Sequence, residues 1–446
     1  MTLIVGVTVI PLKPIPAGPP APMRGNARVR QRSGPPRLRR LLDAPHRLGF
    51  FAGALLLALA ALWWGAALTL RAAALSVPWA VSPTTAHALT MVFAFMPLFF
   101  VGFLYTAGPR WLQLPAVAAR TLLLPVMLML AGWLLAVLGF HVSAPLAALG
   151  IAAVALGFGL LSGRFGLMVG SSRAPERAHA VIVLIGCIVM VLAMWSAALG
   201  LALERDAPVR AAAQVGLWGG AGLVFASVAH RMIPFFTAAA LPALDAWRPR
   251  ALLMILVLLI GVQAPFAAVD VWLAGPAPFA WSLLRATVEL AGGALLVWLA
   301  VRWGLVQSLR VRLLAMLHMG FFWLGVAFVL GGVSHGLHAA SDGTLSLGLA
   351  PLHAFTIGYL GSTLLAMATR VVCGHSGRAL IADRWAWAMF WALQAAVLLR
   401  VLAALWPLAA TPFTLLSVQF FVASVGAWAL RYGRWLLQPR ADGQLG

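Results

Sequence analysis

Twelve apolar stretches run through this chain of 446 residues and leave it few ways to fold. Each is close to the ~20 residues a helix needs to cross the hydrocarbon core of a bilayer. They are read at 49–70, 86–107, 121–140, 143–162, 178–201, 211–232, 251–273, 278–301, 313–333, 345–369, 384–406 and 413–434. In lipid an isolated stretch must satisfy its own backbone N–H and C=O groups, so each is expected to be a helix. Composition agrees: 63% of the residues are hydrophobic and 9% charged, where soluble domains carry about 25% charged residues. The expected fold is an all-α, polytopic integral membrane protein of about twelve transmembrane helices in one bundle.

The charges test that count. With the N-terminus placed inside, Lys13 and the arginines between 24 and 47 lie inside, as do Arg110, Arg120, Arg164, Arg173, Arg177, Arg231, Arg248 and Arg250. The later inside segments hold Arg302, Arg310, Arg312, Arg370, Arg378, Arg384, Arg431, Arg434 and Arg440, whereas the outside loops hold only Arg71, Arg205 and Arg210. A missed or extra span would reverse the alternation downstream, so the positive-inside rule predicts twelve spans with both termini cytoplasmic. The formal net charge of +21 is spread between spans as topology signals. It forms no basic domain, and nucleic acid is not an expected partner. Residues 1–47, rich in Pro, Gly and Arg, read as a disordered tail. Residues 48–436 read as the membrane domain and 437–446 as a C-terminal tail. The apolar first ten residues lack a basic lead and run into prolines, so no cleaved signal peptide is expected; Met23 is an alternative start.

Cys187 falls within a span and Cys373 in a basic loop, so no disulfide framework is expected. No CxxCH occurs, which excludes covalent c-type haem. No HExxH, GxSxG or P-loop occurs either.

The stretch Pro351–Arg378 (PLHAFTIGYLGSTLLAMATRVVCGHSGR) puts a histidine inside a span. Such a residue is costly without a partner and is a functional candidate by default. At helical spacing His353, Thr356, Leu360, Thr363, Met367 and Arg370 share one stripe. A rise of about 1.5 Å per residue places His353 roughly 12 Å from the outer end of its span. His87 lies near the outer end of the second span. His141, His335 and His338 lie in or near outer loops, where the H-x-x-H of the last two is a weak metal signal. Toward the inner side are His230, His318 and His375, with His46 and His179 at inner boundaries. Arg285 and Glu289 lie one turn apart in the eighth span, and Arg400 lies in the eleventh. Buried arginines need anionic partners; Glu289 is the expected partner of Arg285, and Asp270 is one option for Arg400.

Three segments carry a resemblance. The first is His353, Thr356, Gly358, Gly361, Thr363, Met367, Thr369-Arg370-Val371, Gly374-His375 and Gly377-Arg378. The second is His230 through Thr237. The third is Gly102-Phe103-Leu104 with Thr106-Ala107 and Pro109-Arg110-Trp111. Together they resemble the NnrS family, polytopic bacterial membrane proteins linked to nitric oxide and denitrification and described as containing haem and copper. One departure stands. Where the family usually shows a His-x-His-Glu-like run, this chain reads His87-Ala88-Leu89-Thr90, keeping one histidine and losing the second histidine and the acid.

The resemblance implies non-covalent haem b, copper, nitric oxide or a related small ligand, and a multi-pass location in the bacterial inner membrane. The expected haem site lies toward the outer face, with His353 and His87 as ligands and Arg285 and Arg400 facing propionates. Arg370 is a further candidate for an inner anion or propionate site. The expected copper site draws on His230, His318 and His375, with Cys373 or Met367 as soft donors for Cu(I). The function implied is a haem-copper membrane protein of the nitric oxide response that relieves nitrosative stress. Two rival readings are a secondary transporter, which twelve spans and the Arg285/Glu289 pair permit, and a redox enzyme like a haem-copper oxidase or NO reductase subunit. The absence of a His-His pair weighs against the second.

Overall fold

The computed structural model describes residues 35–273 and 277–444. Among them twelve helices are long and apolar enough to cross a membrane. In chain order they are α1 (Pro45–Ala72), α2 (Pro83–Leu112), α3 (Ala119–Val142), α4 (Ala144–Ser171), α5 (Ala178–Ala202) and α6 (Asp206–Ala240). They continue as α7 (Arg250–Trp272), α8 (Phe279–Arg302), α9 (Arg312–Ala340), α10 (Ala350–His375), α11 (Arg384–Leu405) and α12 (Pro407–Leu436). No strand occurs among the described residues. The helices overrun the apolar stretches at many ends, because polar side chains continue a helix into the headgroup zone. Residues read in or near loops are therefore helical: His141 at the end of α3, His335 and His338 on the last turns of α9, and His375 and the buried Cys373 at the end of α10.

Large apolar side chains such as Leu124, Leu134, Leu167 and Leu430 stand exposed on the outside of the bundle, as lipid-facing residues do. Inside, small residues bring backbones close. The α1/α2 crossing is built on Gly49 against Gly102, where a Cβ on either would collide with the other helix. A Cβ on Gly132 of α3 would come within 2.7 Å of the Gly150 carbonyl of α4.

The two ends of the chain are tied together. Arg47 is 2% exposed, and its Nη1 donates to the Leu436 carbonyl at 2.7 Å and the Gln438 carbonyl at 2.8 Å. A cation at the C-terminal end of α12 satisfies carbonyls that have no helical partner. The Arg37 amide donates to Leu437 O, and the Ala441 amide donates to Ser376 O. Residues 1–34 of the expected disordered tail lie outside the described residues. Its remainder is folded: Leu38–Leu42 forms a 3-10 turn, and Pro45–Arg47 begins α1. Both ends therefore sit on one face of the bundle, called here the basic face; the opposite one is the far face.

Two helices carry π-helical turns, Gly216–Gly222 in α6 and Ala354–Gly361 in α10. Such turns often mark functional sites. These two meet: Trp218 stacks on Phe355 with centroids 3.9 Å apart and planes at 18°. The second begins directly after His353.

Candidate functional site

On the far face, α1, α2, α10 and α11 bring together Trp64, His87, His353 and Arg400. The His87 ring stacks on Trp64 at 4.1 Å and 18°. Its Nδ1 is buried with no hydrogen-bond partner among the described residues. His353 and Arg400 both lie within electrostatic reach of it. His353 is anchored by its own helix, Nδ1 lying 2.9 Å from the Leu349 carbonyl. A carbonyl only accepts, so Nδ1 carries the proton and the neutral ring keeps its lone pair on Nε2. That is the tautomer a metal-ligating imidazole adopts when a backbone carbonyl orients it. Arg400 has no carboxylate partner among the described residues.

Arg285 keeps its expected partner and gains a second. It pairs with Glu289, one turn on, at 2.8 Å, and also with Asp270 of α7. Asp270 thus serves Arg285, because α7 packs beside α8 at that level, and Arg400 is left without a carboxylate among the described residues. Gln263 Oε1 also accepts from Arg285, and His335 Nδ1 donates to the second Glu289 oxygen at 2.8 Å. With two carboxylates against it, Arg285 is already compensated. The network borders a cavity of about 310 Å³ walled in part by Arg210, Trp218, Asp270 and Leu352.

The histidines of the basic half do not converge. His230 Nδ1 lies 3.1 Å from His179 Nε2, and its Nε2 lies 3.2 Å from the Pro249 carbonyl. His179 Nδ1 lies 2.8 Å from Glu176 Oε1. The Pro249 carbonyl and the Glu176 carboxylate both only accept, so filling all three contacts would take three hydrogens from two imidazoles, one more than two neutral rings carry. Burial alone would raise the Glu176 carboxyl. The hydrogen bond from His179, with Arg231 and Arg248 nearby, outweighs it and holds the group below its ordinary range.

His318 instead bonds Thr237 at 2.8 Å. Thr237 lies two turns along α6 from His230, or roughly 10 Å. His375 lies against His46 of α1 with ring centroids 4.3 Å apart and planes tilted by 37°. Gly377, at φ +66°, ends α10 in the left-handed turn that glycine favours and brings the tail back over the helix end. Arg370 lies over the Phe236 ring at 3.9 Å. Among the described residues, no group of three or more His, Cys, Asp and Glu side chains could hold a metal ion. His179 and His46, taken from sequence only as boundary residues, are the true neighbours of His230 and His375. The first had a signal: His179 opens α5 and His230 lies at similar depth on α6, the next, antiparallel helix.

The three segments that carried the resemblance lie on α2, α6 and α10, and these helices meet in the core. A family model described as "NnrS protein" matches residues 40–440. The chain belongs to the NnrS family. No curated protein matches it. It is a multi-pass membrane protein of a family tied to the nitric oxide response. In this NnrS chain α2 supplies both His87 and Gly102-Phe103, and α10 supplies both His353 and Thr363-Met367. One helix pair thus links the far-face histidines to the centre of the bundle.

Proposed function

We propose that this NnrS protein holds a haem b at the far-face His87/His353 pair and binds nitric oxide or a related small ligand there, relieving nitrosative stress. The observation that carries the reading is the buried, unpartnered Nδ1 of His87 beside His353 and the uncompensated Arg400. The donor chemistry fits the group: His353 presents Nε2 with Nδ1 fixed, His87 offers a second imidazole, and Arg400 offers a cation to a propionate. Bound there, the haem would take a diatomic ligand in place of one of the two imidazoles, since the macrocycle and both imidazoles together would fill the positions on iron. The protein's own part is to orient His353 through Leu349, to hold His87 flat against Trp64 and to keep a cation beside both. Arg285, already paired, has no part in this reading. Among the described residues the basic half brings together no three His, Cys, Asp or Glu side chains for copper, and this reading gives copper no role.

The basic face is assigned to the cytoplasm by the positive-inside rule, which puts the His87/His353 pair toward the outer side of a bacterial inner membrane. The test is a visible spectrum of detergent-purified protein, oxidised, reduced, then exposed to nitric oxide, with metal analysis on the same sample. A Soret band that shifts with nitric oxide and is lost in His353→Ala supports the reading. A colourless, metal-free preparation, even with haem supplied during expression, overturns it.

One observation favours a second reading. The cavity of about 310 Å³ beside Arg285, Glu289 and Gln263 resembles the polar midplane site of a transporter. Uptake into proteoliposomes that fails in Glu289→Gln, from a preparation without haem, would favour it.

A further inference from the structure

The family segments surround a second, smaller cavity, of about 60 Å³. Phe100 and Phe103 of α2, Phe225 and Met232 of α6 and Thr363 and Met367 of α10 line it. It is twice the ~30 Å³ share of one water molecule, yet a buried water needs two to four polar partners. This wall offers one side-chain group, the Thr363 hydroxyl, which is buried and has no hydrogen-bond partner among the described residues. A cavity so lined stays dry and takes apolar guests. The single hydroxyl adds a weak donor for a guest with a small dipole. The half-buried Met232 and Met367 are flexible thioethers that can yield to a guest. Thr363 lies ten residues beyond His353, roughly 15 Å along α10.

We propose that this cavity is a holding site for an uncharged diatomic gas, inside the bundle and on the helix that carries His353. Such gases dissolve in the hydrocarbon around the protein, and an apolar pocket of this size accepts one without stripping charged groups of water. Nitric oxide as the natural occupant rests on the function proposed above; affinity for small apolar gases does not.

The probe is xenon, in pressurised crystals of the full-length protein. The expected result is one anomalous peak between Phe100, Phe225 and Thr363. Ala229→Val adds two methyl groups to the wall and should abolish the peak. Thr363→Val keeps the shape, removes the hydroxyl and should retain it. If Ala229→Val does not fold, Ala368→Val fills the same cavity from α10. No peak in the wild type, ordered acyl-chain density in its place, or a peak unchanged in the filled variants overturns the proposal. A xenon peak with a Soret band indifferent to nitric oxide removes nitric oxide as the occupant and leaves the gas site standing. A Soret response without a xenon peak overturns the gas site alone.

Discussion

Replacing Glu289 by glutamine should be among the most destabilising single changes in the far half of the bundle. The carboxylate is 4% exposed and Arg285 7% exposed. Its two oxygens take separate charge-assisted hydrogen bonds, from Arg285 and from His335. Each such bond contributes about 1.5–3 kcal/mol, so about 3–6 kcal/mol is at stake. Breaking a buried ion pair from one side typically costs 3–5 kcal/mol, roughly the same range. Asp270 remains against Arg285, which favours the lower end. Thermal unfolding of the purified protein in detergent, followed by tryptophan fluorescence, is the assay. A loss near 3 kcal/mol should lower the midpoint on the order of 5 °C in a chain of this size. The control is the exposed Arg210–Asp206 pair, whose side chains are 51% and 54% accessible and which should contribute roughly 0–1 kcal/mol. The decisive figure is the coupling in a double-mutant cycle of Glu289→Gln with Arg285→Met. A coupling no larger than that of the exposed pair would refute the claim that the burial of Glu289 and Arg285 makes their pairing matter.

Arg47→Met removes both bonds to the α12 carbonyls and should cost about 2–4 kcal/mol; faster proteolysis after residue 436 is its second readout. Asp383 caps α11 through the Ala386 amide and takes both Arg431 nitrogens. The Arg431 hydrogen bonds hold its carboxyl below the ordinary 3.8. Its contribution is therefore complete above about pH 4 and lost as pH falls through the lowered value. Asp383→Asn should flatten that acid limb of the unfolding-midpoint profile and leave it unchanged near pH 7 apart from a uniform drop. Gly49→Val should block the α1/α2 crossing and sharply reduce folded yield, whereas Gly170→Val, which faces open space, should be tolerated far better.

The positions of Arg285 and Arg400 show where sequence reasoning stopped. Both were legible as buried cations in need of anions. The i,i+4 partner Glu289 was legible because helical spacing is local. Asp270 was not assignable, since reaching it requires knowing that α7 lies beside α8 with that face turned inward. His87 and His353 were readable as residues on the same side of the membrane, His353 roughly 12 Å deeper in its span; the structure starts α10 at Ala350, so both lie near the starts of their helices and within electrostatic reach of each other. His230, His318 and His375 shared a depth range too, yet each found a different partner: His179, Thr237 and His46. The apolar cavity had no sequence signature, because a void is what several helices leave between them.

What the sequence by itself determined is the number and order of the helices, which follow from the lengths of the apolar stretches and from where the arginines fall; it did not place the start of α10 at Ala350, which puts His353 on the first turn. What only the tertiary structure decided is lateral: which helices touch and how each is rotated. In lipid the apolar faces that meet protein and those that meet acyl chains look alike, so hydropathy carries little of that information. It resides in glycine crossings such as Gly49 on Gly102, in the π turns that set Trp218 on Phe355, and in the arginine that closes the ring between α1 and α12.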